Sequence, residues 1–248
     1  MNETPTSLPA TVSLSDLLQR DDMWMGHSQR FATREAVPTG YEGLDARLLN
    51  KGWPLGNLVE VCQKGMQGEW QLFTPALLQL PGLIVLVNPP AVPFAQAFIQ
   101  GGIDLDKLIV VEAKERNHFV SSFVEIARAS VGSLLAWQPN ALTYTEMRKC
   151  SLAALDGSGL SIMFRHAAAQ QQSSPASLRL FAHQVPTGLE ITIFKQKGHL
   201  QTQQAQPLVL PMPAHWAAMP AHNHLNHATR ARQPQHPPSN VTPIRGKS

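Results

Sequence analysis

A chain of 248 residues with 43% hydrophobic content is long enough for one large α/β domain plus tails. Only 15% of residues are charged, and no run approaches the roughly 18 apolar residues of a membrane helix. The N-terminus has neither a basic start nor an apolar export stretch, so a cytoplasmic protein is expected, with Cys62 and Cys150 read as reduced, buried thiols.

The net charge of +3 is unevenly placed. No acidic residue follows Glu190, whereas Lys195, Lys197, Arg230, Arg232, Arg245 and Lys247 do. A mildly acidic body thus carries a basic end. Two readings are open: attraction to nucleic acid or to an acidic partner, and a solvated tail without specific contacts.

In chain order, residues 1–12 are polar and proline-bearing and are expected to be disordered. Residues 13–36 hold a short helix, Ser13–Trp24, with Leu14, Leu17 and Leu18 on one face, and a linker. Residues 37–200 form the core. Pro38-Thr39-Gly40 is a turn, Tyr41–Leu49 a short helix, and Asn50–Gly56 a turn-rich approach to the strand Leu58–Cys62. A helix over Leu72–Leu80 follows, entered near Pro75. Strands Leu83–Val87, Leu108–Ala113, Ser133–Trp137 and Ser161–Arg165 then alternate with helices Pro93–Gly102, Asn117–Ser130 and Thr145–Leu155. Strands apolar throughout, separated by helices, predict a mostly parallel sheet covered on both faces. Ala167–Ser177 breaks the rhythm as a loop. The segments Leu178–Val185 and Gly188–Gly198, joined by Pro186-Thr187-Gly188, predict an antiparallel hairpin at one sheet edge. Residues 201–248 are rich in Gln, Pro and His and are expected to be a disordered basic tail, with LVLPMP the one stretch capable of packing.

The turn after the first core strand, Gln63–Trp70, occupies the place of a phosphate-binding loop but lacks its chemistry. A working loop reads G-x-x-x-x-G-K-[ST]. Gln63 stands at the first glycine, Gly68 keeps the second, Glu69 replaces the lysine, and Trp70 replaces the metal-holding hydroxyl. A carboxylate repels triphosphate and an indole holds no magnesium, so no cofactor and no ATP hydrolysis are expected. His215, His222, His224 and His227 cluster in a Pro/Ala-rich stretch without a fixed frame, so no metal site is expected. No G-x-S-x-G signature points to a hydrolase.

The segments Val37-Pro-Thr-Gly-Tyr-Glu-Gly-Leu-Asp45, Gly52-Trp-Pro-Leu-Gly-Asn-Leu-Val-Glu-Val61 and Leu83–Ala113 resemble the RecA-like recombinase core over 37–198. The resemblance implies a RecA-like α/β fold with a degenerate phosphate loop. The acid that would activate water falls near Asn88-Pro89-Pro90, and the acid of the metal-binding strand near Trp137. Within that superfamily, Trp24, Thr39-Gly40, Gly52-Trp53-Pro54, Pro89-Pro90, Ala136-Trp137, Ser173–Leu180 and Phe194–Gly198 are similar to the ImuA family of translesion DNA synthesis. That resemblance implies a non-catalytic accessory protein of the SOS response. Its partners would be an ImuB-like Y-family protein and the recombinase filament, with weak DNA contact and nucleoid association on induction. The middle and C-terminal half also resembles SulA, the SOS inhibitor of cell division, which implies the alternative of binding the tubulin-like division protein.

Candidate contact residues follow. Arg165 and Arg179 flank the Ala167–Ser177 loop, which itself lacks arginine and aromatic platforms. Lys195, Lys197, Arg230 and Arg232 carry the basic end. Trp24, Trp53 and Trp70 are open to two readings: exposed hot spots for a partner, and aromatic filling of the space left by a missing nucleotide.

Overall fold

The computed structural model describes residues 35–65, 68–198 and 206–211. The expected disordered ends, the N-terminal helix with Trp24, the histidine cluster, and Arg230 and Arg232 lie outside them.

The described elements run β1 (Ala36–Val37), α1 (Glu42–Asp45), β2 (Trp53–Pro54) and β3 (Asn57–Gln63). A 3-10 helix, Glu69–Phe73, leads into α2 (Thr74–Gln79), β4 (Leu83–Val87), α3 (Ala95–Gln100), β5 (Leu108–Val111) and α4 (Arg116–Ala129). Then come β6 (Gly132–Trp137), α5 (Tyr144–Asp156), β7 (Leu160–His166), a 3-10 turn (Ala167–Gln171), β8 (Leu178–Val185), β9 (Gly188–Gln196) and β10 (Leu208–Pro211).

Eight strands form one sheet in the order β10-β9-β8-β3-β7-β6-β4-β5. From β8 to β5 all neighbours are parallel, and β9 and β10 add antiparallel pairs. The mostly parallel α/β sheet and its antiparallel hairpin therefore stand. Two details differ from the sequence reading. Leu208–Pro211, assigned to the tail, is an edge strand paired to β9, because Leu210 buries against the sheet end. Trp53, assigned to a turn, is a strand residue, since β2 pairs with β1 through Val37 and Trp53.

The strands read as unbroken apolar runs because they feed two cores. Along β3, Val59 and Val61 point to one side, where Leu72, Phe73, Leu77 and Phe98 cover them. Leu58 points to the other, toward Phe119, Phe123, Met147 and Ala153 of α4 and α5. A pleated strand alternates its side chains between faces, so a helix-sheet-helix sandwich requires both sets to be apolar. Each fully buried aliphatic side chain contributes about 1.5–3 kcal/mol. Helix α5 starts sharply because the Thr143 hydroxyl accepts from Glu146 N–H while the Glu146 carboxylate accepts from Thr143 N–H, a reciprocal cap.

The Thr39-Gly40…Leu44-Asp45 segment positions the next element. Thr39 N–H donates to the Asp45 carboxylate at 2.9 Å. Gly40 has φ +84°, and a Cβ there would lie 2.4 Å from the Pro75 ring. Only glycine lets this turn sit against the start of α2. Among the described residues, no helix is long and apolar enough to cross a membrane.

Candidate functional site

In parallel α/β sheets, ligands bind beyond the carboxyl ends of the strands, where neighbouring connections diverge. Here that point lies at β3, which sits between β7 and β8. All seven residues of β3 are buried, so its end at Gln63 is rigidly placed.

Gly68, at φ +98°, turns the chain into the Glu69–Phe73 3-10 helix, which closes through Gln71 N–H to Gly68 C=O at 3.0 Å. The six-residue α2 follows only after Phe73. The turn after β3 thus enters a short, tight 3-10 segment instead of the first turn of a long α-helix. Buried oxygens of Gln63, Gln71 and Thr74 have no hydrogen-bond partner.

The space above the strand ends on this face is aromatic. Trp53 is fully buried with its ring 4.6 Å from Phe73. Phe73 meets Phe164 edge-on at 6.0 Å, and Phe164 stacks on Trp137 at 4.7 Å. Trp70 is half-buried and stacks on Phe98 at 4.6 Å. Trp53 is therefore no exposed hot spot: it is core, packed against the Phe73 ring.

The positions where a nucleotide hydrolase would keep acids do structural work. Asn88, beyond β4, has φ +51° and latches the neighbouring connection: its amide donates to Ala113 C=O at 2.7 Å and accepts from Ala113 N–H at 2.6 Å. Trp137 ends β6 in the ring stack. Among the described residues, no group of three or more His, Cys, Asp or Glu is placed to hold a metal.

On the opposite sheet face lies a buried charge cluster centred on Glu60, in the middle of β3 and fully buried. Its Oε1 accepts from Arg165 of β7 at 3.1 Å and from Arg179 of β8 at 2.7 Å, and its Oε2 accepts from the Ser174 hydroxyl. Arg165 also donates to Gln138 and Gln172. Arg179 donates to Ala169 C=O at 2.8 Å and lies 4.8 Å from the Phe194 ring centre. Lys195 donates to Ser174 C=O at 2.6 Å. Burial lowers the Lys195 pKa from the usual lysine value, and the Arg179 charge adds to that. A buried charge is tolerated when it is paired and hydrogen-bonded; here Arg179 Nε alone of the cluster's buried side-chain donors and acceptors lacks a partner, and the pairing bolts the 167–177 loop to the sheet.

This corrects the reading of Arg165 and Arg179 as surface contacts. They are 3% and 5% exposed, and reaching DNA or a partner would strip Glu60 of both counterions. Lys195 is half-buried and engaged. Lys197 is exposed, and its N–H donates to Ser177 C=O at 2.7 Å. Sequence reasoning missed Glu60, Gln172 and Ser174. The signal was present: Glu60 interrupts Leu-Val-Glu-Val-Cys on a central strand, and Arg165 and Arg179 interrupt two others. Lone charges in buried strands must find each other.

The Cys62 thiol donates to Glu60 Oε1 at 3.5 Å. Burial, reinforced by the Glu60 charge, pushes its pKa up to about 12, and burial alone dominates at Cys150, also raised to about 12. The thiolate is the reactive form. Both cysteines are therefore expected to resist iodoacetamide at pH 8 in the native protein and to react at once in 6 M guanidinium, read by mass spectrometry. An unfolded thiol titrates near 8.5, so the folded state holds the extra protons above that pH. Stability contributed by the two thiols is intact below about pH 8.5 and falls as pH rises toward 12.

No protein-family model matches this chain, and no curated protein matches it.

Proposed function

We propose that this chain is a RecA-like body without nucleotide chemistry that serves as a non-catalytic accessory protein of SOS-induced translesion DNA synthesis. It would act by contact with an ImuB-like Y-family protein and with the recombinase filament. The observation that carries the non-catalytic part is the use made of the strand ends. At the two positions where a nucleotide hydrolase would keep its acids, Asn88 is tied to Ala113 and Trp137 is locked in an aromatic stack. The sheet supports the RecA-like part, with the loop-bearing β3 inside a six-strand parallel run and the antiparallel strands beyond β8. The translesion part rests on the sequence resemblance.

No magnesium-dependent ATP turnover above a protein-free blank is expected, and Gly68→Ala should leave that result unchanged. Turnover abolished by Gly68→Ala would overturn the non-catalytic reading. Pull-down with a purified ImuB-like protein, the recombinase and the tubulin-like division protein tests the partner. Retention of either of the first two supports the adaptor role. Retention of the division protein alone, with filamentation on overexpression and no change in mutation rate, replaces it with the SulA-like role.

A further inference from the structure

At the opposite end of the sheet from the degenerate loop, a cleft of about 250 Å³ opens between α5, the loop after α1, β2 and the end of β9. Leu49, Leu152 and Leu155 line it and are 39%, 44% and 45% exposed, three large apolar side chains gathered on one surface. Pro54, Arg148 and Lys197 complete the part that matters here, and among the described residues no acidic side chain lines the cleft. Its chemistry suits leucines accompanied by carboxylates.

We propose that this cleft receives the chain's own acidic, leucine-bearing segment Ser13–Trp24. Three observations single it out. The segment carries Leu14, Leu17 and Leu18 beside Asp16, Asp21 and Asp22, with Arg20 the one opposing charge. The other stretches outside the described residues, 66–67, 199–205 and 212–248, hold no acidic residue at all. The described chain begins beside the cleft, because Glu35 C=O accepts from Leu55 N–H at 2.9 Å and Leu55 follows the lining residue Pro54.

Reach and energetics allow this docking. The roughly ten residues between Trp24 and Glu35 span up to ~35 Å when extended. A tether of that length gives an effective concentration of order mM, so a segment of only ~0.1 mM intrinsic affinity is docked about nine-tenths of the time. A partner that presents its own acidic leucine-bearing segment would have to displace it.

Hydrogen exchange by mass spectrometry on the full-length protein tests this. Backbone amides of 13–24 are expected to exchange about tenfold more slowly than in the synthetic peptide of the same sequence. Leu152→Asp, at an exposed position, should bring them to the peptide rate while amides of β3 and β7 keep their protection. Arg148→Glu should weaken protection of 13–24, and adding Asp21→Lys with Asp22→Lys should restore it. Amides of 13–24 that exchange at the peptide rate in the parent protein would overturn the proposal. So would protection that survives both Leu152→Asp and Arg148→Glu.

Discussion

Replacing Glu60 with alanine is expected to cost about 3–5 kcal/mol, more than breaking any of the exposed ion pairs among the described residues. The carboxylate is the one anion between the buried Arg165 and Arg179 guanidiniums, at 3.1 and 2.7 Å, and its second oxygen holds Ser174. Alanine leaves two buried cations facing each other without a counterion. A domain of this size has about 5–15 kcal/mol in total, so the variant should be marginal at room temperature. Urea unfolding followed by circular dichroism reads the loss directly. Glu60→Gln keeps the shape but not the charge, and should also be destabilising because an amide neutralises neither arginine. The triple change Glu60→Leu, Arg165→Met and Arg179→Met should recover much of the stability. Desolvating an ion cluster costs nearly as much as its attraction returns. That variant has a distinct expected defect: the 167–177 loop loses its anchors at Gln172, Ala169 and Ser174 and should become the first site of limited proteolysis. An Glu60→Ala midpoint within about 1 kcal/mol of the parent would show that the cluster is dispensable, against the range expected for a broken buried pair.

Trp53→Ala is expected to cost a similar amount, about 3–5 kcal/mol, because it empties a large site in a packed core. Trp53 is fully buried against Phe73, and through it the side chain supports the Phe164 and Trp137 rings. A surface hot spot would behave differently: partner affinity would fall with the unfolding midpoint unchanged. Trp53→Phe separates shape from hydrogen bonding. The indole Nε1 is buried without a partner, so phenylalanine removes an unsatisfied donor while keeping most of the ring. Its cost should be well below that of alanine. Thermal unfolding of the two variants, side by side with partner pull-down, distinguishes these outcomes. An unchanged midpoint for Trp53→Ala with lost partner binding would return Trp53 to the interface reading.

Legibility divides along the range over which each feature is encoded. Leu83–Val87 appears as a strand at the expected residues, and Ser133–Trp137 and Ser161–Arg165 each lie within strands that extend slightly beyond them. An apolar run bounded by turn residues is a local property of the chain. The hairpin Leu178–Val185 with Gly188–Gln196 was legible for the same reason. The short helix expected over Tyr41–Leu49 shrank to Glu42–Asp45, since the segment is held by Thr39 and Asp45 closing the turn. Leu208–Pro211 was legible as the one stretch of the tail able to pack but not as a strand, and what makes it a strand is the edge of β9 beside it.

The amino-acid sequence by itself determined the alternation of strands and helices, the parallel character of the sheet, and the absence of a lysine and a hydroxyl at residues 69 and 70. These depend on residue type and on spacing within a few turns of chain. The tertiary structure alone decided that β3 lies between β7 and β8, that Glu60 is shared by two arginines more than a hundred residues away, and that Trp53 faces inward. Such contacts join segments remote in the chain, and no local pattern states which buried charge meets which. The pairing is settled only when burial makes an unpaired charge too costly to keep.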